Sequence, residues 1–174
     1  MYYNIVFETN RLIFRLFTME DAALIYELNS DPDVVRYTLD PMHSLQQAQD
    51  VLEKVILPQY ALYNHGRWAV HEKSNLNFIG WCGLKCRPEL NEIDLGYRFK
   101  KESWGKGFAT EAAFASLEYG FSKLELKRIM GRALPENLAS ISVLEKCGMQ
   151  YVGEEVVDDH PAKTYEALNP FIRL

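Results

Sequence analysis

The chain has 174 residues, 48% of them hydrophobic and 25% charged, with a net charge of −5 from 19 basic and 24 acidic side chains. That is the make-up of an ordinary globular domain, here one domain over 1–174, and a chain this long buries roughly 70% of its unfolded surface without staples. No apolar run approaches the roughly 20 residues of a membrane span, and an acidic balance argues against broad nucleic-acid binding, which depends on neutralising phosphates.

The start, M-Y-Y-N-I-V-F-E-T-N, lacks the basic and apolar regions of a signal peptide, so a cytoplasmic protein is expected. Cys82, Cys86 and Cys147 form an odd, sparse set, which suggests reduced thiols rather than a disulfide framework. Cys82 and Cys86 share one face of a strand-like run, but no further ligands stand at metal-binding spacing, so no metal is expected.

The first element reads as a strand from Asn4 to Leu16, since T-N-R-L-I-F-R-L-F alternates basic and apolar residues. Thr18 caps a helix, with Asp21 three residues on as an acidic capping-box partner, and the helix stops near Asp31-Pro32. Ser44 opens a second helix through Q-Q-A-Q-D-V-L-E-K-V-I-L. Three strand-like runs follow: R-W-A-V-H, N-F-I-G-W-C-G-L-K and E-I-D-L-G-Y-R-F. S-W-G-K-G-F-A-T-E, residues 103–111, leads into a helix from about Gly107 to Phe121, and K-R-I-M-G-R-A reads as a strand. Asn137 to Lys146 reads as a helix ended by Gly148. A strand from Tyr151, a loop around His160-Pro161 and a strand near Thr164 to Leu168 complete the chain. This order implies an α/β (α+β) domain: a mixed, mostly antiparallel sheet of about six to seven strands flanked by about four helices.

A strand feeding a glycine-rich turn into a helix builds an anion site, because the first backbone N–H groups of a helix have no internal partners and its dipole favours negative charge. Gly105 and Gly107 keep side chains away from such an anion. Ala109, Ala112, Ala113 and Ser116 give the helix a small face for close packing on a sheet. A nucleotide P-loop requires Lys after its last glycine, and Phe108 stands there. A dinucleotide fingerprint requires a third glycine, where Thr110 stands. The pyrophosphate loop of coenzyme A acetyltransferases and a plain glycine helix start both fit. In E-I-D-L-G-Y, Glu92 and Asp94 fall on one face of the strand, and Ile93, Leu95 and Tyr97 on the other. Gly96 marks either a bulge or tight packing. No pattern singles out His43, His65, His71 or His160 as a base. His71 alternates with Trp68 and Val70, which suits a structural role.

Residues 92–112, E-I-D-L-G-Y-R-F-K-K-E-S-W-G-K-G-F-A-T-E-A, resemble the central motif of the GNAT-type N-acetyltransferases, and more narrowly the branch of the ribosomal-protein alanine acetyltransferases. E-T-N-R-L-I-F-R resembles that branch's first strand. P-E-N-L-A-S-I-S-V-L-E-K-C-G-M resembles its second coenzyme-binding motif. Glu102 departs from the usual Gln or Arg, and Met149 from the usual aromatic.

The resemblance implies a GNAT fold and an acetyl-CoA-dependent N-acetyltransferase. It places the coenzyme against Tyr97, Phe99, Trp104, Gly105, Lys106, Gly107, Ala109, Thr110, Asn137 and Ser140. Asp94 or Glu92 would be the base, directly or through water, and Ser140 or water the proton donor to the leaving thiolate. The acceptor would be a primary amine, on a protein N-terminus or a small molecule. Its pocket would come from the two early helices, the loop around Asp40-Pro41 and the last strands, with Tyr37, Trp68 and Trp81 as candidate lining. A homodimer through the last strands is expected from the family. A non-catalytic acyl-CoA sensor or interaction module is the rival reading, and a nucleotide-binding domain a third.

Overall fold

A computed structural model describes residues 4–171. The run read as one strand from Asn4 to Leu16 is a hairpin of β1 (Ile5–Glu8) and β2 (Leu12–Arg15). Thr9 turns the chain: its N–H donates to the Leu12 carbonyl at 2.9 Å, and its hydroxyl accepts the Leu12 N–H at 3.0 Å. The break falls in the polar run Glu8-Thr9-Asn10-Arg11, a turn signal that the single-strand reading passed over.

The Asp21 carboxylate accepts the Thr18 N–H at 2.8 Å, the capping arm expected, and a single 3-10 turn leads into α1 (Ala22–Ser30). Asp21 also takes a two-point bond from Arg15 at 2.8 Å, and Arg15 Nε donates to His71 Nε2 at 3.0 Å. His71 Nδ1 lies 3.0 Å from the Leu76 carbonyl, so the imidazole is built into the fold as the neutral form. Burial pushes its pKa down.

Ser44 Oγ accepts the Gln47 N–H and caps α2 (Leu45–Val51). The helix passes through a π-helical stretch, Leu52–Ile56, into α3 (Leu57–Tyr63). Pro58 accounts for the wide turn: its ring would strike the Lys54 carbonyl in an α-helix, and the Leu57 N–H reaches Leu52 instead.

A meander follows: β3 (Arg67–Glu72), β4 (Phe78–Arg87) and β5 (Glu92–Phe99). Then come α4 (Phe108–Ser122), β6 (Arg128–Ala133) and α5 (Leu138–Lys146), followed by the hairpin of β7 (Gln150–Val157) and β8 (His160–Leu168). The strands form one sheet in the order β1-β2-β3-β4-β5-β6-β8-β7, and only β5 and β6 are parallel.

The sheet therefore has eight strands, one more than the upper expectation, because the first strand is two. The helices are the four expected, with α2 and α3 counted as one continuous rod. The last turn is not at His160-Pro161 but at Asp158-Asp159, where both residues have positive φ (51° and 64°) and make a two-residue hairpin turn. Pro161 is tolerated inside β8 because β6 pairs with β8 only from Lys163 onward.

The two faces of the sheet carry separate cores. α4 and α5 cover Leu84, Leu95, Phe99 and Ile129 on one side. α1 and α2 cover Ala69, Phe78 and Trp81 on the other. The small face of α4 is used as expected: Ala112, Ala113 and Ser116 are fully buried, and a Cβ at Gly120 would come within 2.7 Å of a Leu84 methyl. Met149 packs in the same core. Among the described residues no helix is long and apolar enough to cross a membrane.

Candidate active site

The parallel strands β5 and β6 share only two ladder pairs, Asp94 with Met130 and Leu95 with Gly131. Beyond them no ladder pairs follow. The carboxyl ends of the two strands, and the loops after them, face the gap, which is where open α/β sheets place their ligands. Gly96 stands at the parting point but makes no bulge: the β4–β5 register runs unbroken through Gly83 and Gly96. Trp81 explains the glycine, since a Cβ there would lie 3.2 Å from its ring.

The loop after β5 makes a 3-10 turn, and Trp104 Nε1 donates back to the Phe99 carbonyl at 2.8 Å. Phe99 itself lies in the core beneath the loop. Gly105 and Gly107 have φ of 73° and 80°, and Gly107 is the N-cap of α4. Both need glycine for this left-handed backbone. A Cβ on Gly105 would meet nothing within 4 Å, so the space before the loop is open.

The first bond into α4 runs from the Glu111 N–H to the Gly107 carbonyl, so the N–H groups of Phe108, Ala109 and Thr110 have no helical acceptor. This is the geometry of an anion cradle. Arg11 braces it. Its guanidinium donates to the Lys106 carbonyl at 2.9 Å and to Glu111 at 2.6 Å, and stacks 4.6 Å from the Phe108 ring centre. Thr9 adds a 2.6 Å bond to Glu111. Burial would raise the Glu111 pKa, but the bonds from Thr9 and Arg11 outweigh it and hold the group ionised. Glu102 and Lys106 are exposed.

At the start of α5, Asn137 Oδ1 accepts the Ser140 N–H at 3.1 Å. That makes Asn137 an N-cap and leaves its amide Nδ2 free for a ligand. Tyr97 reaches across from β5: its hydroxyl lies 3.0 Å from the Ser140 carbonyl and 2.8 Å from Ser140 Oγ. Burial pushes the Tyr97 pKa up, so the phenol stays protonated. Sequence reasoning found no tyrosine in the helix for a proton-donor role. The structure supplies one from the neighbouring strand, 43 positions away.

Glu92 and Asp94 meet at Arg132, which the sequence did not single out. The guanidinium contacts Glu92 at 2.7 Å, Asp94 at 3.2 Å and Glu155 at 2.9 Å. Thr164 donates to Glu155 at 2.6 Å. Burial raises the Asp94 pKa against the pull of Arg132 and Arg87.

On the same face of the sheet, under α1 and α2, lies a hollow of about 210 Å³ lined in part by Asn29, Asp40, Met42, Arg67, Trp81 and Arg98. Arg98 donates to Asn29 and, at 2.8 and 3.1 Å, to Asp40. Trp81 and the loop around Asp40, both named as acceptor-pocket lining, border this hollow, whereas the last strands, named with them, do not. Trp68 instead belongs to the α4 core, and Tyr37 packs with Arg36. A second hollow, about 260 Å³, opens beyond Arg132 against the end of β7. Among the described residues no cluster of three or more His, Cys, Asp or Glu could hold a metal ion.

Comparison with known proteins agrees with this geometry. The acetyltransferase (GNAT) domain model matches residues 11–150. The uncharacterized N-acetyltransferase p20 of Bacillus licheniformis is 33% identical over 148 residues, covering 83% of this chain and 82% of its own. The spermidine N(1)-acetyltransferase of Escherichia coli (strain K12) is 27% identical over 145 residues, covering 78% and 70%. A GNAT-family acetyltransferase from Bacillus anthracis superposes with a TM-score of 0.79 at 25% identity, covering 93% of this chain and 97% of its own. The ribosomal-protein-S5-alanine acetyltransferase of Vibrio fischeri superposes with a TM-score of 0.72 at 23% identity, covering 97% and 98%. The narrower branch resemblance is therefore a likeness of fold alone. With most of its length matched, the chain belongs to the GNAT family and is an N-acetyltransferase whose cosubstrate is acetyl-CoA.

Proposed function

We propose that the gap between β5 and β6 presents the acetyl group of acetyl-CoA to a small primary amine seated in the hollow beside Trp81. The observation that carries this reading is the parting of the two strands between Asp94 on one face and the Tyr97–Ser140 pair on the other. The thioester supplies an activated acetyl group. The loop 103–110 offers its free N–H groups to the pyrophosphate, and Asn137 Nδ2 is available to the coenzyme's amide-bearing arm.

The amine must lose a proton before it attacks, since alkyl amines have pKa values near 10.4 and α-amino groups near 7.7–8.0. Asp94 binds Arg132 through Oδ1. Oδ2 then accepts the proton through a water, and Glu92 is the alternative base on the same clasp. The Tyr97–Ser140 pair holds a proton at Oη or Oγ for the departing sulfur. A small acceptor suits a hollow of about 210 Å³, and the Escherichia coli relative is named for spermidine. A protein N-terminus is the second reading; the Vibrio fischeri enzyme is named for a ribosomal-protein alanine, and the likeness to that enzyme carries the fold alone. The edge strand β7 exposes Tyr151, Val152 and Val156, which supports a homodimer through the last strands, testable by light scattering.

Thiol release from acetyl-CoA, measured with spermidine, an amino acid and a short peptide, tests the reading. Asp94→Asn lowers kcat about 100-fold, the scale of a lost general base, without changing the KM for acetyl-CoA. If Asp94→Asn and Glu92→Gln both match the wild type, these carboxylates are not the base. Tight acetyl-CoA binding with no transfer to any amine favours the sensor reading instead.

A further inference from the structure

The hollow under α1 and α2 carries more positive charge than its own carboxylate can neutralise. Arg98 is paired with Asp40 and Asn29, and no ion pair or hydrogen bond engages the Arg67 guanidinium among the described residues. Arg67 stacks on Trp81, with its guanidinium carbon 4.6 Å from the ring centre. Arg98 lies over the same ring at 5.7 Å, and its Nε is buried without an acceptor. A guanidinium cannot shed its charge in a protein, so both donors remain available.

The sheet beneath packs closely around this pair: a Cβ at Gly83 would meet the Gly66 carbonyl oxygen at 2.0 Å, and one at Gly96 the Trp81 ring at 3.2 Å. Arg67 is in register with Gly83, and Gly83 with Gly96, so one row across three strands holds an arginine and two glycines. The row ends at the point where β5 and β6 part. The opposite wall is apolar, with Met42, Val51 and Val55. Burial, and then the charge of Arg98, push the Arg67 pKa down, while Asp40 and Asp94 pull it up without touching it.

We infer that the acceptor is a primary amine that also bears an anionic group, carboxylate or phosphate, which sits on Arg67 and Arg98 Nε while its apolar body lies against the α2 wall. This rests on the acetyltransferase reading and narrows its substrate class. It separates this chain from a polyamine acceptor, whose cations would face two arginines. It does so despite the overall charge of −5, which by itself favours cationic ligands.

The experiment uses the full chain loaded with CoA. Calorimetry compares matched pairs: leucine with 3-methylbutylamine, and phosphoethanolamine with ethanolamine, with spermidine added as a polycation. The anionic member of at least one pair binds about tenfold or more tightly than its neutral partner, the scale of one charge-assisted hydrogen bond. Which pair shows the preference tells carboxylate from phosphate. Arg67→Gln removes the preference, while Arg67→Lys, which keeps the charge, retains part of it. Both variants are first checked for wild-type melting and CoA affinity. Equal binding within both pairs, tighter binding of spermidine, or a preference that survives Arg67→Gln overturns the inference. Failure of CoA itself to bind defeats the acetyltransferase reading separately, and the same pairs run without it still read Arg67.

Discussion

Arg132 holds three carboxylates together, so its removal exposes them to one another. In Arg132→Met the side chain keeps its bulk and loses its charge. Glu92 and Asp94 are only 14% and 22% exposed, and Arg132 only 10%, whereas Glu155 at 42% is largely in water. Losing one partner of a buried pair costs about 3–5 kcal/mol, and exposed pairs contribute about 1 kcal/mol or less. The partial exposure of the two inner carboxylates places the expected loss near 3 kcal/mol. With a urea slope of about 2 kcal/mol/M, the midpoint falls by about 1.5 M at pH 7. The sign with pH is fixed. Without the cation, the burial that already pushes the Asp94 pKa up acts without the pull of Arg132, and its folded pKa stands further above its unfolded value of about 3.9. The deficit is then full at pH 7 and shrinks as the pH falls toward about 5 and Asp94 takes up a proton. Adding Asp94→Asn to Arg132→Met restores part of the loss. A midpoint change under about 0.3 M at pH 7, or a deficit equal at pH 7 and pH 5, would refute the clasp as an energetic unit.

Asn137 has two separable roles. Asn137→Ala loses the cap and about 1 kcal/mol, while Asn137→Asp keeps an acceptor for the Ser140 N–H and melts like the wild type. Both raise the KM for acetyl-CoA by removing Nδ2; an Asp variant with unchanged KM would show that the coenzyme does not use this amide. Two glycines should differ sharply on mutation to Ala. Gly83→Ala puts a Cβ 2.0 Å from the Gly66 carbonyl oxygen and should prevent stable folding, whereas Gly105→Ala meets no atom within 4 Å. It costs only the left-handed backbone, about 1 kcal/mol in a denaturant titration. His65 and His71 are both held neutral, with pKa values lowered from 6.5 chiefly by burial. Their folded pKa values lie below the unfolded ones, so their contribution is present above about pH 6.5 and drains away as the pH falls. Denaturation midpoints should decline below that pH, and His71→Gln should flatten the decline; an unchanged slope would contradict it.

The parts of this fold that could be read from sequence are those fixed by neighbours along the chain. Thr18 with Asp21, Ser44 with Gln47, and Asn137 with Ser140 are caps closed within three residues, and each helix begins where its cap predicts. Gly105 and Gly107 announced their backbone sign, and with it the open loop before α4. The N-terminal hairpin was missed because its turn holds no glycine or proline, only the polar run Glu8 to Arg11 between two short apolar stretches. The Asp158-Asp159 turn was misplaced because Pro161 looked like the turn residue. The arginines of the site were invisible for a different reason. Arg11 meets Glu111, Arg98 meets Asp40 and Arg132 meets Glu92, each across 40 to 100 positions. Nothing local marks which arginine will face a carboxylate that the fold brings in from a neighbouring strand, a loop or a helix. Tyr97 and Ser140 were both candidates, but their contact depends on how α5 lies against β5.

The measurement that tests the central claim most directly is thermal unfolding of the full chain with acetyl-CoA, CoA, ATP and NAD, each in large excess. The claim is that the 103–110 loop and the parted strands form one coenzyme A site. Ligand at 100 times its dissociation constant adds about 2.7 kcal/mol, and a chain of this size gains about 2–4 °C per kcal/mol. The account predicts a rise of about 5–11 °C with acetyl-CoA and CoA and little with ATP or NAD. No rise with the coenzyme A compounds, or an equal rise with ATP or NAD, would contradict it.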